Sequence, residues 1–460
     1  MDIIWIVLDS VSFDSTPFSS EGPDTMPKLE SLARERGIIY TNAYAPGPTS
    51  PSSHSAFFTG KRPSVTGMYE ANPYFTKSID TIADSLSGHH SLAISSNPFI
   101  FNGLCEGFDV VDDLRNRDFM LFDDASDPIT DGAQQYTESR AEQYKEFLFK
   151  KGKPVRSLLN GLSYKFFRRR LDGAMPKDAP LDSIDHQTAK TITDRVRKFI
   201  GESHEETFVF ANYMDAHAPL NASDSAIQRF APGLTRQELP IGVSGQKVHS
   251  RIKDGDIEIK ERMYDLYHAA IWDLDRTVTP LIESAVKEGS FVVVTADHGN
   301  WFSRDSELDE ERIHVPLLLF TPDKQHQVIE ETVNLLSLPR TTMKVAANDD
   351  GGFDGNNLID ISEHQLSITE LIHDPETPGS PVEPYGNDDQ SIQYDIAAVK
   401  AGNRVDLVGG GFETLRDQGG TKELEDRIQD LRDSEIEFDP ANETGDSNRD
   451  ERLRQLGYLE

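Results

Sequence analysis

The chain has 460 residues, 37% of them apolar and 27% charged, enough to bury a sizeable core, which excludes a wholly disordered protein. Asp and Glu total 79 against 46 Lys and Arg, a formal charge of −33, and a surface this negative argues against general nucleic-acid or membrane binding. At about 150 residues per domain the length allows two to three domains, or one large one with an appendage.

The acid is spread along the whole chain, a pattern that suits a protein kept soluble in high salt and points to a halophilic source. The single cysteine, Cys105, allows no intramolecular disulfide and no Cys-based zinc site, and reads as a small buried apolar residue.

In chain order, the first apolar run is Ile3 to Leu8, ending at Asp9. It lacks a basic leader and a small-residue cleavage site, so it reads as a buried strand rather than a signal peptide. No stretch reaches the roughly 18 apolar residues of a membrane span, and the expected location is cytoplasmic. A helical pattern follows over Met26 to Arg36. Hydroxyl residues then crowd Thr49 to Ser55, opening a short helical pattern that stops at Gly60. Further helical patterns cover Ser78 to Leu86, Asp185 to Ile200 and Lys260 to Glu288. Apolar runs Ser91 to Ile94, Phe208 to Ala211 and Phe291 to Val294 alternate with them. Continuous apolar runs of this length suit strands buried on both faces. Their alternation with helices predicts an α/β fold, with a mostly parallel central sheet flanked by helices.

Residues 115–185 and 221–258 read as insertions. The first contains a locally basic stretch from Lys150 to Arg170 that suits either an anion or partner contact, or simply a solvated helix. Residues 346–385, rich in Asp, Gly, Asn and Pro, read as linker or loop. Strand patterns over Ser391 to Val399 and Arg404 to Val408, and a charged helix over Thr421 to Arg432, predict a small C-terminal α+β subdomain with its tail over 386–460. The catalytic domain is expected over 1–345.

In such sheets ligands sit off the carboxyl ends of the strands, and three runs end in candidate chemistry. Asp297-His298-Gly299 places a carboxylate and an imidazole side by side, a pair suited to a hard or borderline divalent metal. Asp9 is a second candidate ligand, or a cap for the next segment. His217, in Asn212-Tyr213-Met214-Asp215-Ala216-His217, could protonate a leaving group or be structural. The hydroxyl-rich helix start around Ser50 offers free N–H groups to an anion, or serves only as an N-cap.

Taken together in order and spacing, these segments resemble the sulfatase branch of the alkaline phosphatase superfamily, of haloarchaeal type. The resemblance runs through Leu8-Asp9-Ser10, Thr25-Met26-Pro27, Ser50 to Pro63, Ser96-Asn97-Pro98-Phe99, Gly107-Phe108-Asp109, Tyr213 to Pro219, Thr295 to Gly299, Ile313 to Leu318 and the closing Arg452 to Leu459. It implies a hydroxyl nucleophile at Ser50, with Thr49 the alternative if the loop shifts by one residue. It implies one divalent metal, Ca²⁺, Mg²⁺ or Mn²⁺, on Asp9, Ser50, Asp297 and His298. Ser10 stands where many sulfatases have a second ligating Asp, and His298 where many have Asn.

Formylglycine formation normally needs Pro or Ala two residues after the nucleophile and Arg four after. Here those positions are Ser52 and His54, so an unmodified Ser50 is expected. His54 takes the arginine's place and is expected to contact substrate or nucleophile. His217 matches the histidine that binds the ester or assists the leaving group. His314 suits either the site or packing beneath it, and Lys61 and Arg62 are the nearest cations after the helix. Asn300-Trp301-Phe302-Ser303-Arg304 replaces an acidic residue and second histidine common in relatives.

The implied function is metal-dependent hydrolysis of a sulfate ester, on a small anionic metabolite or a sulfated or phosphorylated glycan. A phosphate mono- or diester hydrolase or phosphotransferase is the first alternative. A degenerate protein that only binds anions or glycans is the second.

Overall fold

The computed structural model describes residues 1–76, 79–114, 121–122, 125–126, 145, 147–149, 151–171, 187–243, 245–302, 306–323, 325–373 and 393–433. The chain divides into two units, Met1–Asp113 with His186–Glu443, and Leu114–Asp185 with Thr444–Glu460.

The first unit is built on a nine-stranded sheet in the order β4-β3-β5-β1-β6-β7-β2-β8, with β9 beside β2. The strands are β1 (Ile3–Leu8), β2 (Ile38–Tyr44), β3 (His90–Ser95), β4 (Val110–Asp113), β5 (Thr207–Tyr213), β6 (Phe291–Thr295), β7 (His314–Phe320), β8 (Gln327–Ile329) and β9 (Val333–Asn334). β4, β3, β5, β1 and β6 are parallel neighbours, and β7 is antiparallel to both β6 and β2. Every residue of β1, β5 and β6 is buried, which is why these strands carry mostly apolar sequence. Parallel pairing brings the carboxyl ends of β3, β5, β1 and β6 to one edge of the sheet, as expected for a doubly wound fold.

Helix α1 (Pro27–Arg36) precedes β2, and helix α2 (Ser50–Thr59) follows it. All ten residues of α2 are buried. Trp5 of β1 meets Phe57, Phe58 and Phe208 edge to face, at centroid distances of 6.2, 6.2 and 5.7 Å, a geometry favoured by the ring quadrupoles. Gly60 ends α2 in the left-handed region at φ 65°, the usual glycine C-cap. The long helix Ile257–Lys287 starts where the Asp256 side chain accepts from Ile259 N, and the helix Gln187–Glu202 covers the strand β5 it precedes.

Three expected elements differ in detail. The helix expected over 78–86 is a single turn, Ile82–Ser85, closed by a reciprocal Thr81–Asp84 capping box, and Ser78 lies outside the described residues. The polar excursion over 221–258 contains two helices, Asp224–Phe230 and Gly245–Lys253, because Ser223 supplies an N-cap and Ile227 and Val248 supply buried anchors. The stretch 346–385 is not all loop. It holds β10 (Ser367–His373), whose backbone groups pair antiparallel with β11 (Gln393–Lys400).

β10 and β11, with β12 (Asn403–Val408) and β13 (Gly411–Arg416), form the expected small C-terminal sheet, in that order and antiparallel. The period-2 alternation gives it two apolar faces. Ile396, Ala398, Val405 and Leu407 pack on Leu424 and Ile428 of the helix Thr421–Asp433. Leu371, Ala397 and Val399 pack on Tyr44, Leu308 and Ile313 at the edge of the main sheet.

In the second unit, the basic stretch forms the helix Pro154–Leu171. Its Asn160 side chain accepts from Leu121 N and Phe122 N, both at 3.0 Å. Among the described residues no helix is long and apolar enough to cross a membrane. Cys105 is buried, with Sγ 3.3 Å from the Ile100 carbonyl.

Candidate functional site

Four strand ends and one helix start build a single polar cluster inside the first unit. Asp9 follows β1, Asn97 follows β3, Asn212 is the next-to-last residue of β5, and Asp297-His298 follow β6 by one residue. The chain leaving β2 delivers Ser50 as the first residue of α2. Asp9, His54, Asn97, Asn212, Ser50, Asp297 and His298 are all at most 2% exposed.

Ser50 Oγ donates to Asp297 Oδ2 at 2.7 Å and lies 3.3 Å from His298 Nε2. One ligand atom from each of Asp9, Asp297 and His298 falls within 4.8 Å of the other two. Ser10 closes the turn after Asp9 at φ 63°, a left-handed position uncommon for serine. That turn aims Ser10 N at Asp297 Oδ1, 3.2 Å away. Tyr267 of the long helix holds it, donating to Ser10 O at 2.6 Å and accepting from Ser12 N at 2.9 Å.

The asparagines are oriented by their own acceptors. Asn97 Oδ1 accepts from Phe99 N, so Nδ2 faces Asp9 Oδ2 at 2.8 Å and Ser50 Oγ at 3.1 Å. Asn212 Oδ1 accepts from Ser95 Oγ, so Nδ2 faces Asp9 Oδ2 at 3.2 Å and His54 Nε2 at 3.4 Å. His298 Nδ1 meets the Gly299 carbonyl at 2.8 Å. That contact sets the tautomer with the Nε2 lone pair turned into the cluster. Gly299 is required by close approach, since a Cβ there would lie 1.9 Å from the Glu311 carbonyl oxygen.

Burial opposes ionisation of Asp297. The imidazoles of His298 and His54 and the hydrogen bonds from Ser50 and Ser10 nevertheless hold its carboxyl below the usual range. Burial pushes the His298 imidazole down, against the pull of Asp297 and Asp9. The resulting set is carboxylate oxygen plus imidazole nitrogen. Two fully buried carboxylates converge, and among the described residues no lysine or arginine pairs with either. That donor set fits a hard or borderline divalent cation, with Asn97, Asn212, Ser10 N and the Gly299 carbonyl as its outer partners.

The expected residues do not all fall together. Asp9, Ser50, Asp297 and His298 converge. Thr49 turns aside, its Oγ1 2.9 Å from Ser52 Oγ. His54 lies inside α2, with Nδ1 2.8 Å from the Ser50 carbonyl and 3.5 Å from Asp297 Oδ2, and its ring against Phe57 and Phe210. It therefore touches the candidate nucleophile's backbone. His217 lies in the turn after β5, half-buried, its N–H on the Met214 carbonyl, and is not one of the three converging ligands. His314 is sandwiched between Phe13 and Tyr44, at centroid distances of 4.3 and 4.9 Å, with Nε2 2.9 Å from the Thr41 carbonyl. Lys61 pairs with Asp354, and Arg62 with buried Glu370. Asn97, Asn212, Tyr267 and Arg312 carried no functional assignment from sequence. A polar residue at the end of an apolar strand was the available signal for the two asparagines.

A family model described as Sulfatase matches residues 1–348. A curated sulfatase of Formosa agariphila is 32% identical over 72 residues, 16% of this chain and 14% of that protein, so the alignment spans a small part of that relative. The phosphonate monoester hydrolase of Agrobacterium radiobacter superposes with a TM-score of 0.61 at 12% identity, covering 94% of this chain and 95% of its own. A 2-O GAG sulfatase superposes with a TM-score of 0.53 at 13% identity, over 94% and 91%. At these identities the two structures speak to a shared fold.

Proposed function

The chain belongs to the sulfatase family of the alkaline phosphatase superfamily, and from that premise we propose that it is a metal-dependent hydrolase of anionic esters, sulfate esters first, with Ser50 as nucleophile. The observation that carries this reading is the Ser50 hydroxyl at the start of α2, bonded to Asp297 and within reach of His298 and Asn97. Asp9, Asp297, His298 and Ser50 would hold one Ca²⁺, Mg²⁺ or Mn²⁺, which when bound supplies Lewis-acid charge stabilisation and lowers the hydroxyl's pKa.

Ser50 Oγ attacks the sulfur, forming an O–S bond as the bond to the leaving oxygen breaks. Asp297 Oδ2 orients the hydroxyl through their 2.7 Å hydrogen bond, and the hydroxyl proton leaves to water. His217 is assigned to protonate the leaving oxygen. Water then cleaves the sulfated serine and restores the hydroxyl. Free N–H groups at the start of α2 favour the anionic group. His54 orients Ser50 and Asp297 from beneath, the nucleophile side of the two contacts expected from sequence. Ser52 and His54 support an unmodified Ser50. The substrate class is a small anionic ester or a sulfated or phosphorylated glycan.

Transfer of a phosphate ester is the second reading, favoured by Ser52 and His54 at the positions where the oxidation motif has other residues and by His298 at 3.3 Å from the Ser50 hydroxyl. The test is paired hydrolysis of an aryl sulfate, an aryl phosphate and an aryl phosphodiester in high salt. It is run with chelator and with each metal, for wild type and Ser50→Ala. Metal-dependent turnover that falls about 10⁴-fold or more in Ser50→Ala supports the reading, and the preferred ester chooses the branch. Turnover that survives Ser50→Ala rejects the nucleophile. Absence of both turnover and bound metal favours an anion- or glycan-binding protein without catalysis.

A further inference from the structure

The guanidinium of Arg312 sits between the loop that enters α2 and the loop that leaves β6. Its Nε donates to the Pro48 carbonyl at 2.7 Å. Its Cζ lies 4.1 Å over the Trp301 ring. Its own carbonyl accepts from Gly299 N at 2.7 Å. Both anchoring loops thus belong to the cluster, one ending at Ser50 and the other starting at His298.

Arg312 is 2% exposed, yet among the described residues its buried Nη1 and Nη2 have no hydrogen-bond acceptor. A guanidinium carries five N–H donors in a planar fork, and here one is used. Among the described residues no carboxylate pairs with it. A buried guanidinium held this way is destabilising unless something anionic completes it. The stacking on Trp301 and the bond to Pro48 fix the plane and leave the Nη edge as the unused one.

We propose that Arg312 is the oxyanion-binding side chain of this site, holding two oxygens of the substrate's sulfate or phosphate group through Nη1 and Nη2. The proposal rests on the ester-hydrolase reading above. It adds the cation that the converging carboxylates lack toward substrate, at a position that sequence resemblance did not assign. A planar fork matches two oxygens of a tetrahedral anion, which a lysine ammonium cannot do.

The test is calorimetric binding of inorganic sulfate and inorganic phosphate to the Mn²⁺-loaded full chain, for wild type, Arg312→Lys and Arg312→Ala, with Mn²⁺ affinity measured in parallel. The expected result is anion binding weakened about 10–100-fold in Arg312→Ala and less in Arg312→Lys, with Mn²⁺ affinity within about twofold of wild type. For any ester the wild type hydrolyses, KM should rise more than kcat falls. Equal anion affinity in wild type and Arg312→Ala overturns the role of Arg312 and leaves the hydrolase reading standing. No anion binding by metal-loaded wild type overturns both. If Arg312→Ala does not fold, Arg312→Lys decides, and unchanged anion affinity there rejects the bidentate role.

Discussion

Two buried ionic clusters in the first unit are built from similar residues and balanced differently. In the one that ties the C-terminal sheet to the main sheet, each carboxylate has a guanidinium. Arg404 bonds Asp406 through Nε and Nη2, at 2.9 and 2.7 Å, and Glu310 through Nη1 at 2.6 Å. Arg416 and Tyr44 complete Glu310. Burial opposes the ionisation of Glu310, but Arg404, His314 and Arg416 hold its carboxyl below the usual range. In the other, Asp9 and Asp297 face a hydroxyl, two asparagines and two imidazoles. Their countercharge is not supplied by the described residues, and the nearby Arg312 is unmatched in the opposite sense. A buried cluster whose charges close among themselves is a fastener. One whose charges do not close is shaped for what it binds.

Removing a ligand from the unbalanced cluster should have the largest effect on function and a small one on stability. Asp297→Asn is expected to lose the metal and to lower turnover by about 10³-fold or more. The melting temperature of the metal-free protein should fall only slightly, because the surroundings that hold the Asp297 carboxyl below its usual range favour the ionised group. Metal content by elemental analysis and a chelator-treated melt check this, and retained stoichiometric metal would remove Asp297 from the ligand set. The balanced cluster should behave in reverse. Arg404→Ala leaves Asp406 buried without its guanidinium and Glu310 with Arg416 alone, and should cost about 3–5 kcal/mol of stability. Turnover per folded molecule should stay within about twofold. A denaturant titration paired with an active-site titration separates the two, and an Arg404→Ala protein as stable as wild type would end the comparison.

Much of the unbalanced cluster was legible in sequence because parallel strands deliver their carboxyl ends to one edge. An acidic residue closing an apolar run therefore announces itself, as Asp9 and Asp297 do. Ser50 was legible through hydroxyl crowding and the Gly60 stop. The direction of each side chain was not. His54 sits one helical turn after Ser50, and sequence spacing cannot say whether that face looks toward substrate or toward Phe57 and Phe210. α2 is buried on every side, so it carries no polar stripe to orient it. β10 was hidden because its seven residues lie in a stretch otherwise rich in Asp, Gly and Pro. Tyr267 and Arg312 act across more than 250 residues of chain, on Ser10 and Pro48, a separation that no local pattern records.

Asp215 offers a third arrangement and the smallest of the expected effects. Among the described residues it has neither a guanidinium nor a place among the converging ligands. Its Oδ1 accepts from Ala189 N at 3.3 Å, while Oδ2 is buried without a partner. Burial, with Asp273 nearby, pushes its carboxyl up to about 7 from an ordinary 3.8. The folded state then holds a proton that the unfolded state releases. This contribution favours folding most below pH 3.8, declines as pH rises toward 7, and is flat above. Asp215→Asn keeps the shape without the titration. It should therefore be more stable than wild type at pH 8, by at most about 4 kcal/mol, and nearly equal to it at pH 4. Parallel denaturant titrations at pH 4, 6 and 8 give the difference directly. A difference that does not change across that range would mean that Asp215 is ionised in the folded protein, paired with a cation or a metal after all, and would move it into one of the first two classes.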